Sequence, residues 1–274
     1  VAVLQDSSDL DYDYLDVEGF GSMHPGVDQG FRIHPSLVIT ETGLPLGLVG
    51  YQAYTREDDV DVPKKHRNSL PIEEKESYRW LEGYRHASYL AQALGRDTTV
   101  VSISDREGDL YEVLKEAEGA QAGSAADIII RAQHNRCLNE PAMEYRLLEE
   151  KLHRLDPLLQ ARLTVNRGRS NEREACVNIR ACQVSILAPA TANKKRTGSV
   201  TCNAVLVSEV DPILLQSEEP KDKRKRSGNA GLYWVLITTM PIDSVVEVER
   251  IVDLYSSRWQ IEVYFKVLKS GCGI

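Results

Sequence analysis

No stretch of this 274-residue sequence approaches the roughly 18 consecutive apolar residues that a membrane-spanning helix needs, and no basic-then-apolar leader of the secretory kind opens it. A soluble, cytoplasmic protein is expected. Cysteine is sparse and unpaired in pattern: Cys137, Cys176, Cys182, Cys202 and Cys272 are odd in number, widely spaced and without a C-x-x-C pair. That spacing argues against a disulfide framework or a structural zinc site and leaves reduced, mostly buried thiols as the better reading. The six histidines, His24, His34, His66, His86, His134 and His153, form no i, i+4 pair. G-x-S-x-G, a Walker loop and a complete dinucleotide fingerprint are also missing. Zinc hydrolysis, serine hydrolysis and nucleotide-dependent chemistry therefore lose ground. Basic residues are absent from the first 31 positions, where Asp6, Asp9, Asp11, Asp13, Asp16, Glu18 and Asp28 fall, so most of the formal net charge of −8 is local. Taken whole, that charge argues against a nucleic-acid partner, which usually shows as a basic surplus.

What is present is an ordinary folded composition, 42% hydrophobic and 27% charged, sufficient for one large domain or two smaller ones. Val1 to Leu4 reads as a buried strand that delivers Asp6 to its end. Residues 36–40 and 46–51 flank a Gly-containing turn as a hairpin, and 56–69 reads as an exposed polar loop. A helix is expected from Glu73 to Leu94, with Pro71 before it and Gly95 stopping it. A β-branched strand over 98–104 ends at Asp105, and a helix follows from Leu110 to Ala117. From Asp127 to about Met240 short strand-like runs dominate, interrupted by one helical stretch from Glu144 to Leu155. Ser244 with Glu247 is the reciprocal capping pattern and opens a long helical run to Lys269. The opening inside an apolar run and the stop just past a helical pattern read as a core fragment of a longer protein.

Three carboxylates stand out by context. Asp6 and Asp105 each follow an apolar strand, where ligands collect in open α/β sheets, although for either alone a turn former or helix cap is the stronger reading. On the last helix, Tyr255, Arg258, Glu262 and Lys269 fall at i, i+3, i+7 and i+14, a single helical stripe. A solvated face with an Arg258–Glu262 pair is the alternative, worth only a few tenths of a kcal/mol. Against it, Val248, Ile251, Val252, Trp259, Ile261, Tyr264 and Phe265 surround the stripe with apolar surface, and polar groups on a buried helix need partners. Three acids could supply those partners through divalent cations. Two hard cations about 3.5–4 Å apart activate an attacking oxygen and stabilise the leaving one in phosphoryl transfer. Mg²⁺ needs only carboxylates, water and phosphate as ligands.

The strings Leu4-Gln5-Asp6-Ser7-Ser8-Asp9-Leu10-Asp11-Tyr12, Ser104-Asp105-Arg106-Glu107-Gly108-Asp109 and Tyr255-Ser256-Ser257-Arg258-Trp259-Gln260-Ile261-Glu262 with Lys269 resemble the Asp-Asp-Glu (DDE) transposases of the group-four bacterial insertion sequences. Their signature Tyr-x2-Arg-x3-Glu-x6-Lys is reproduced here in full, and the resemblance runs over nearly the whole chain. It implies an α/β, ribonuclease-H-like (retroviral-integrase-like) core with a mostly β insertion. The core would take residues 1–135 and 234–274, and the insertion 136–233. It further implies metal-dependent hydrolysis at transposon ends, hairpin formation and strand transfer into target DNA, the cut-and-paste route. By motif position Asp6, Asp105 and Glu262 would ligate two Mg²⁺ ions, with Mn²⁺ able to substitute. Tyr255, Arg258 and Lys269 would hold phosphates.

Trp234 matches the family tryptophan on which a flipped base stacks, a contact worth roughly 1–3 kcal/mol, while a core tryptophan in a strand is the alternative. Arg131 and Arg136 sit where the family places DNA-contacting basic residues. The loop Lys221 to Arg226, with Lys223, Arg224, Lys225 and Arg226, and a second at Asn193 to Arg196, suit phosphate contacts or simple solvation. The expected partners are double-stranded DNA and, for the full-length protein, a second copy of itself in a bacterial cytoplasm, associated with the nucleoid. The family's basic N-terminal domain and C-terminal dimerisation helices are not matched. A same-fold nuclease without strand transfer, or an inactive DNA-binding remnant, stays open as an alternative.

Overall fold

The computed structural model describes residues 1–12, 20–22, 29–55, 70–119, 124–140, 145–166, 172–190, 198–210 and 231–272. Eleven strands join in one sheet. They are β1 (Ala2–Gln5), β2 (Ser8–Asp11), β3 (Gly21–Ser22), β4 (Gln29–Ile39), β5 (Pro45–Tyr54), β6 (Val101–Ser104), β7 (Asp127–Arg131), β8 (Leu159–Asn166), β9 (Glu172–Leu187), β10 (Ser199–Glu209) and β11 (Tyr233–Thr238). The lateral order is β2-β4-β1-β6-β7-β11-β10-β9-β8, with β3 and β5 also paired to β4. The helices are α1 (Tyr78–Leu94), α2 (Tyr111–Glu118), α3 (Leu148–Arg154), α4 (Val245–Ser256) and α5 (Gln260–Lys266). No helix among the described residues is long and apolar enough to cross a membrane.

Period-two alternation explains why helices cover both faces. From the central strands, Ala2, Leu4, Ile103, Ile129, Val205 and Leu236 point to one side and form a core with Val248, Ile251, Tyr255, Ile261 and Phe265 of α4 and α5. Their neighbours Val3, Ile128, Ile130, Leu206, Val235 and Ile237 point the other way, onto Leu81, Tyr84, Ala87 and Ala91 of α1, Val113 and Leu114 of α2, and Leu148 and Leu152 of α3. Strands buried on both faces need continuous apolar runs, and Ile128-Ile129-Ile130 is one.

The middle of the sheet positions the site. β1 and β6 run parallel with Leu4 opposite Ile103, and β6 and β7 run parallel with Ser104 opposite Ile130. Three chain segments therefore leave the same edge of the sheet side by side, at Asp6, Asp105 and Arg131. β11 lies antiparallel to β7, and β10, β9 and β8 continue the same sheet outward by antiparallel pairing. Beside these strand ends, two close approaches need glycine. A Cβ on Gly83 would fall 2.1 Å from Gln5 Oε1, and one on Gly108 would fall 2.2 Å from Ser104 Oγ. α1 can thus lie against β1, and the loop after Asp105 can fold back over β6.

Several elements differ from the sequence reading. α1 begins at Tyr78 rather than Glu73, after a 3₁₀ turn at Ile72–Glu74, and β6 begins at Val101 rather than Thr98. β4 starts at Gln29, seven residues before the expected hairpin strand, because its first half pairs with β2 as well as β5. The long C-terminal helix is not continuous. A 3₁₀ turn at Ser257–Trp259 separates α4 from α5, and α5 runs into a π turn at Val267–Gly271. Ser256 Oγ donates to Val252 O at 2.8 Å and Ser257 Oγ to Leu254 O at 2.6 Å, and such back-bonding competes with the helical ladder and bends it. The start of α4 is as expected: Ser244 and Glu247 form a capping box with both arms made.

Candidate active site

Asp6 and Asp105 emerge from neighbouring parallel strands at the carboxyl ends, the side of an open α/β sheet where ligands gather. Each carboxylate is oriented by the backbone that follows it. Ser7 N–H donates to Asp6 Oδ1 at 2.8 Å, and Glu107 N–H donates to Asp105 Oδ1 at 2.9 Å, which also makes Asp105 the cap of the 3₁₀ turn Arg106–Gly108. The turn-and-cap reading and the site reading thus describe the same two residues.

The helix stripe reaches this edge at its bend. Arg258, in the 3₁₀ turn, donates from Nη1 to Asp6 Oδ2 at 2.9 Å, and its Nη2 lies 3.9 Å from Glu262 Oε1. A guanidinium thus bridges the first strand and the helix carboxylate. Side-chain exposure is 18% at Arg258 and 17% at Asp6, so the pair is largely removed from water, whereas Glu262 at 41% faces out.

Charge is crowded there. Burial pushes the Asp6 carboxyl up from 3.8 to about 6; Arg258 and the Ser7 N–H pull it back, while Asp105 and Glu262 push it further. Asp6 therefore feels both other acids of the trio. Burial works against the Arg258 charge, and the combined pull of Tyr255, Asp6, Asp105 and Glu262 outweighs it.

Tyr255 is buried, and desolvation lifts its phenol above the usual value against the opposing pull of Arg131 and Arg258. Its ring meets the Trp234 ring edge-on, with centroids 4.9 Å apart and planes at 70°. Trp234 lies on β11 opposite Val207 and is half-buried. Arg131, at the end of β7, donates from Nη2 to Tyr233 O at 3.1 Å, and burial lowers its pKa. The structure thus gathers Asp6, Asp105, Arg131, Trp234, Tyr255, Arg258 and Glu262 at one sheet edge.

Two expected residues stand apart. Lys269 falls in the π turn and is exposed, because the helix carrying the stripe is interrupted. Arg136, expected on DNA, is instead turned inward. Its guanidinium, 10% exposed, meets the fully buried Asp109 carboxylate, which also accepts from Gln133 N–H at 2.8 Å and His134 N–H at 3.1 Å. It anchors the loop after β7. Lys223, Arg224, Lys225 and Arg226 lie outside the described residues, as does the 193–196 loop.

Sequence reasoning missed Arg79, His34 and Glu107. His34 is 1% exposed, and its Nδ1 lies 2.9 Å from Ser7 Oγ. Burial, with Arg79 and His86 adding, pushes its pKa down to about 3, so it is neutral. An isolated histidine inside an expected loop carried no signal.

The donor set is all oxygen at the carboxylates, which suits a hard divalent cation. The mutual effect of Asp105 and Glu262 on Asp6 is the excess negative charge such a cation would relieve. Among the described residues no three acids, imidazoles or thiols close on one ion-sized point. The trio holds the right chemistry in an open arrangement, with Arg258 lying against Asp6.

The sequence model of the transposase DDE domain family matches residues 108–274, more than half of the chain. The chain belongs to that family. The matched segment includes Glu262 and the whole Tyr-Arg-Glu-Lys stripe and stops short of Asp6 and Asp105, which stand on their position at the strand ends. Among solved structures, the chain is similar to the piggyBac transposase in a synaptic complex with hairpin DNA, at 10% identity and a TM-score of 0.42. That likeness covers 96% of this chain and 39% of the other. A likeness so distant says nothing about residues or reaction.

Proposed function

We propose that this DDE domain is the catalytic core of a cut-and-paste DNA transposase of the group-four insertion-sequence type. In this reading a ribonuclease-H-like core over 1–135 and 234–274 takes 136–233 as a mostly β insertion. The observation that carries the proposal is the pair Asp6 and Asp105 at adjacent parallel strand ends, with Arg258 linking Asp6 to Glu262 on the helix.

Asp6, Asp105 and Glu262 would hold two Mg²⁺ ions, which when bound lower the pKa of a water and stabilise the departing 3′ oxygen. The chain's own groups do the rest. Ser7 and Glu107 N–H groups fix the two aspartates. Arg258 moves from sharing Asp6 to a phosphate oxygen of the substrate, where a planar fork binds two oxygens at once. Arg131, at the neighbouring strand end, and Lys269, exposed on the π turn, hold flanking phosphates, and Tyr255 meets Trp234 edge-on and fixes its ring. Water attacks the phosphodiester and releases a 3′ hydroxyl. That hydroxyl attacks the phosphodiester of the opposite strand and displaces the 3′ oxygen of the flanking DNA, which leaves as a hydroxyl, so a hairpin closes, during which Trp234 turns from Tyr255 to a displaced base. The basic loop Lys223 to Arg226 adds sequence-independent contacts, and a dimer would bring two ends together on a target.

The test is cleavage of DNA carrying the element's own ends, with Asp6→Ala, Asp105→Ala and Glu262→Ala each abolishing Mg²⁺-dependent nicking while leaving DNA binding intact. Nicking retained by any one of them removes that residue from the assignment. Products joined to a supercoiled target separate a transposase from a nuclease that stops at hydrolysis.

A further inference from the structure

The two strand-end aspartates are tied together through one buried arginine. Arg79, in the first turn of α1, is 8% exposed. Its Nε donates to Ser7 Oγ at 3.1 Å, its Nη2 to Glu107 Oε2 at 3.1 Å, and its Nη1 to Glu76 O at 2.7 Å. The guanidinium carbon lies 5.7 Å from each of the Tyr54 and Trp80 ring centroids, so its plane is packed as well as bonded. Ser7 and Glu107 are the residues whose backbone N–H groups orient Asp6 and Asp105. One planar group therefore grips, by side chain, the two residues that grip, by backbone, the two carboxylates.

A rigid fork suits this work better than a flexible ammonium, since its donors point in fixed directions. Burying an arginine among partly exposed partners is poor design for stability alone, because desolvation offsets much of the ion-pair gain. Glu107, 62% exposed at its side chain, adds little as a surface ion pair. The geometry points to Arg79 as a positioning residue that sets the spacing of Asp6 and Asp105 for the divalent cations; this rests on the reading of those carboxylates as metal ligands given above.

The experiment is Mn²⁺ titration of the 274-residue chain by calorimetry, with thermal unfolding alongside. Outer-shell partners of metal ligands typically change affinity by about 10- to 100-fold, so Arg79→Gln is expected to weaken Mn²⁺ by about tenfold or more. Arg79→Lys, which keeps charge without the fork, is expected to fall between Arg79→Gln and the parent. Ser7→Ala and Glu107→Ala each remove one arm and are expected to weaken Mn²⁺ by about threefold, roughly half of the tenfold in free energy. In the background carrying both, Arg79→Gln is expected to add nothing. Should Arg79→Gln fail to fold, the two single-arm variants decide, since Glu107 is exposed and the Glu76 carboxylate, 3.5 Å from Arg79 Nη1, still faces the guanidinium. Parent-like Mn²⁺ affinity in Arg79→Gln despite a lowered melting temperature would make Arg79 purely structural and overturn the inference, as would parent-like affinity in both single-arm variants. Asp6→Ala and Asp105→Ala separate the two levels. If they lose Mn²⁺ and Arg79→Gln does not, only the role of Arg79 falls; if they bind as the parent does, the metal-site reading falls and this inference with it.

Discussion

Replacing Asp6 by Asn tests whether the Asp6–Arg258 contact is there for stability or for chemistry, because the two readings differ in sign. In the folded chain the Asp6 carboxyl titrates at about 6 against an ordinary value of 3.8, mainly through burial. The fold binds that proton more tightly than the unfolded chain does. Stability is therefore fully present below about 3.8 and is lost as pH rises through about 6. At about 1.4 kcal/mol per decade, the ionised carboxylate costs the fold about 3 kcal/mol at pH 7.5 relative to its neutral form. Arg258 is already included in that balance. Asparagine has the size of the neutral acid and cannot ionise. Asp6→Asn is thus expected to stabilise the chain by up to about 3 kcal/mol at pH 7.5 and to change it little near pH 4. Urea unfolding of parent and variant at both pH values measures it, and the difference cancels other titrating groups distant from the site. A structural ion pair would behave oppositely, since removing one partner of a buried pair costs about 3–5 kcal/mol. Destabilisation of that size at pH 7.5 would refute the reasoning. Saturating Mg²⁺ supplies a second check, expected to raise the stability of the parent and leave Asp6→Asn unmoved.

Three further outcomes follow from named contacts. Asp109→Ala leaves the Arg136 guanidinium and two backbone N–H groups without their buried acceptor and is expected to cost about 3–5 kcal/mol by chemical denaturation; a loss under about 1 kcal/mol would mean that the loop relaxes to water. Ser244→Ala removes one arm of the α4 capping box and is expected to cost about 1 kcal/mol in the same assay, with the fold retained. Trp234→Ala is expected to leave the first nick and deplete hairpin products by about tenfold or more, matching a stacking contact of about 1–3 kcal/mol; hairpins at the parent level would leave Trp234 as a partner of Tyr255 only.

How much of this was readable in advance depended on whether the signal was local. Asp6 and Asp105 were legible because each closes a β-branched or apolar run, and Ser244 because its capping partner sits three residues away. The first half of β4 was not. Its Arg32, His34 and Pro35 argue against a strand, and it becomes one only because β2 and β5 pair on either side, with Arg32 also meeting Asp9 across the ladder. The helix stripe was right in direction and wrong in extent: spacing alone cannot register that Ser256 and Ser257 turn their hydroxyls onto the backbone and bend the helix ahead of Glu262. Arg136 was legible as basic but not as buried, because Asp109 lies 27 residues earlier and the pairing exists only once β7 lies beside the β6 loop. Arg79 looked like any polar residue on an amphipathic helix.

The distribution of buried charge then decides how the acidity of the chain is to be understood. A fold seeking only stability keeps arginine at the surface, since an ion pair taken from water rarely outperforms apolar packing. Here three arginines from three separate elements, Arg79 from α1, Arg131 from the end of β7 and Arg258 from the 3₁₀ turn, are brought largely out of water at the same sheet edge, around Asp6 and Asp105. Arg79 is engaged at all three nitrogens, by Ser7 and Glu107 beside the aspartates and by the Glu76 carbonyl, whereas Arg258 holds Asp6 through one nitrogen and reaches toward Glu262 with the other. The first is a fixture and the second is free to exchange partners. If the site receives divalent cations and a polyanion in turn, as proposed above, it needs both: a rigid cation to set the carboxylates and a movable one to leave them when a stronger charge arrives.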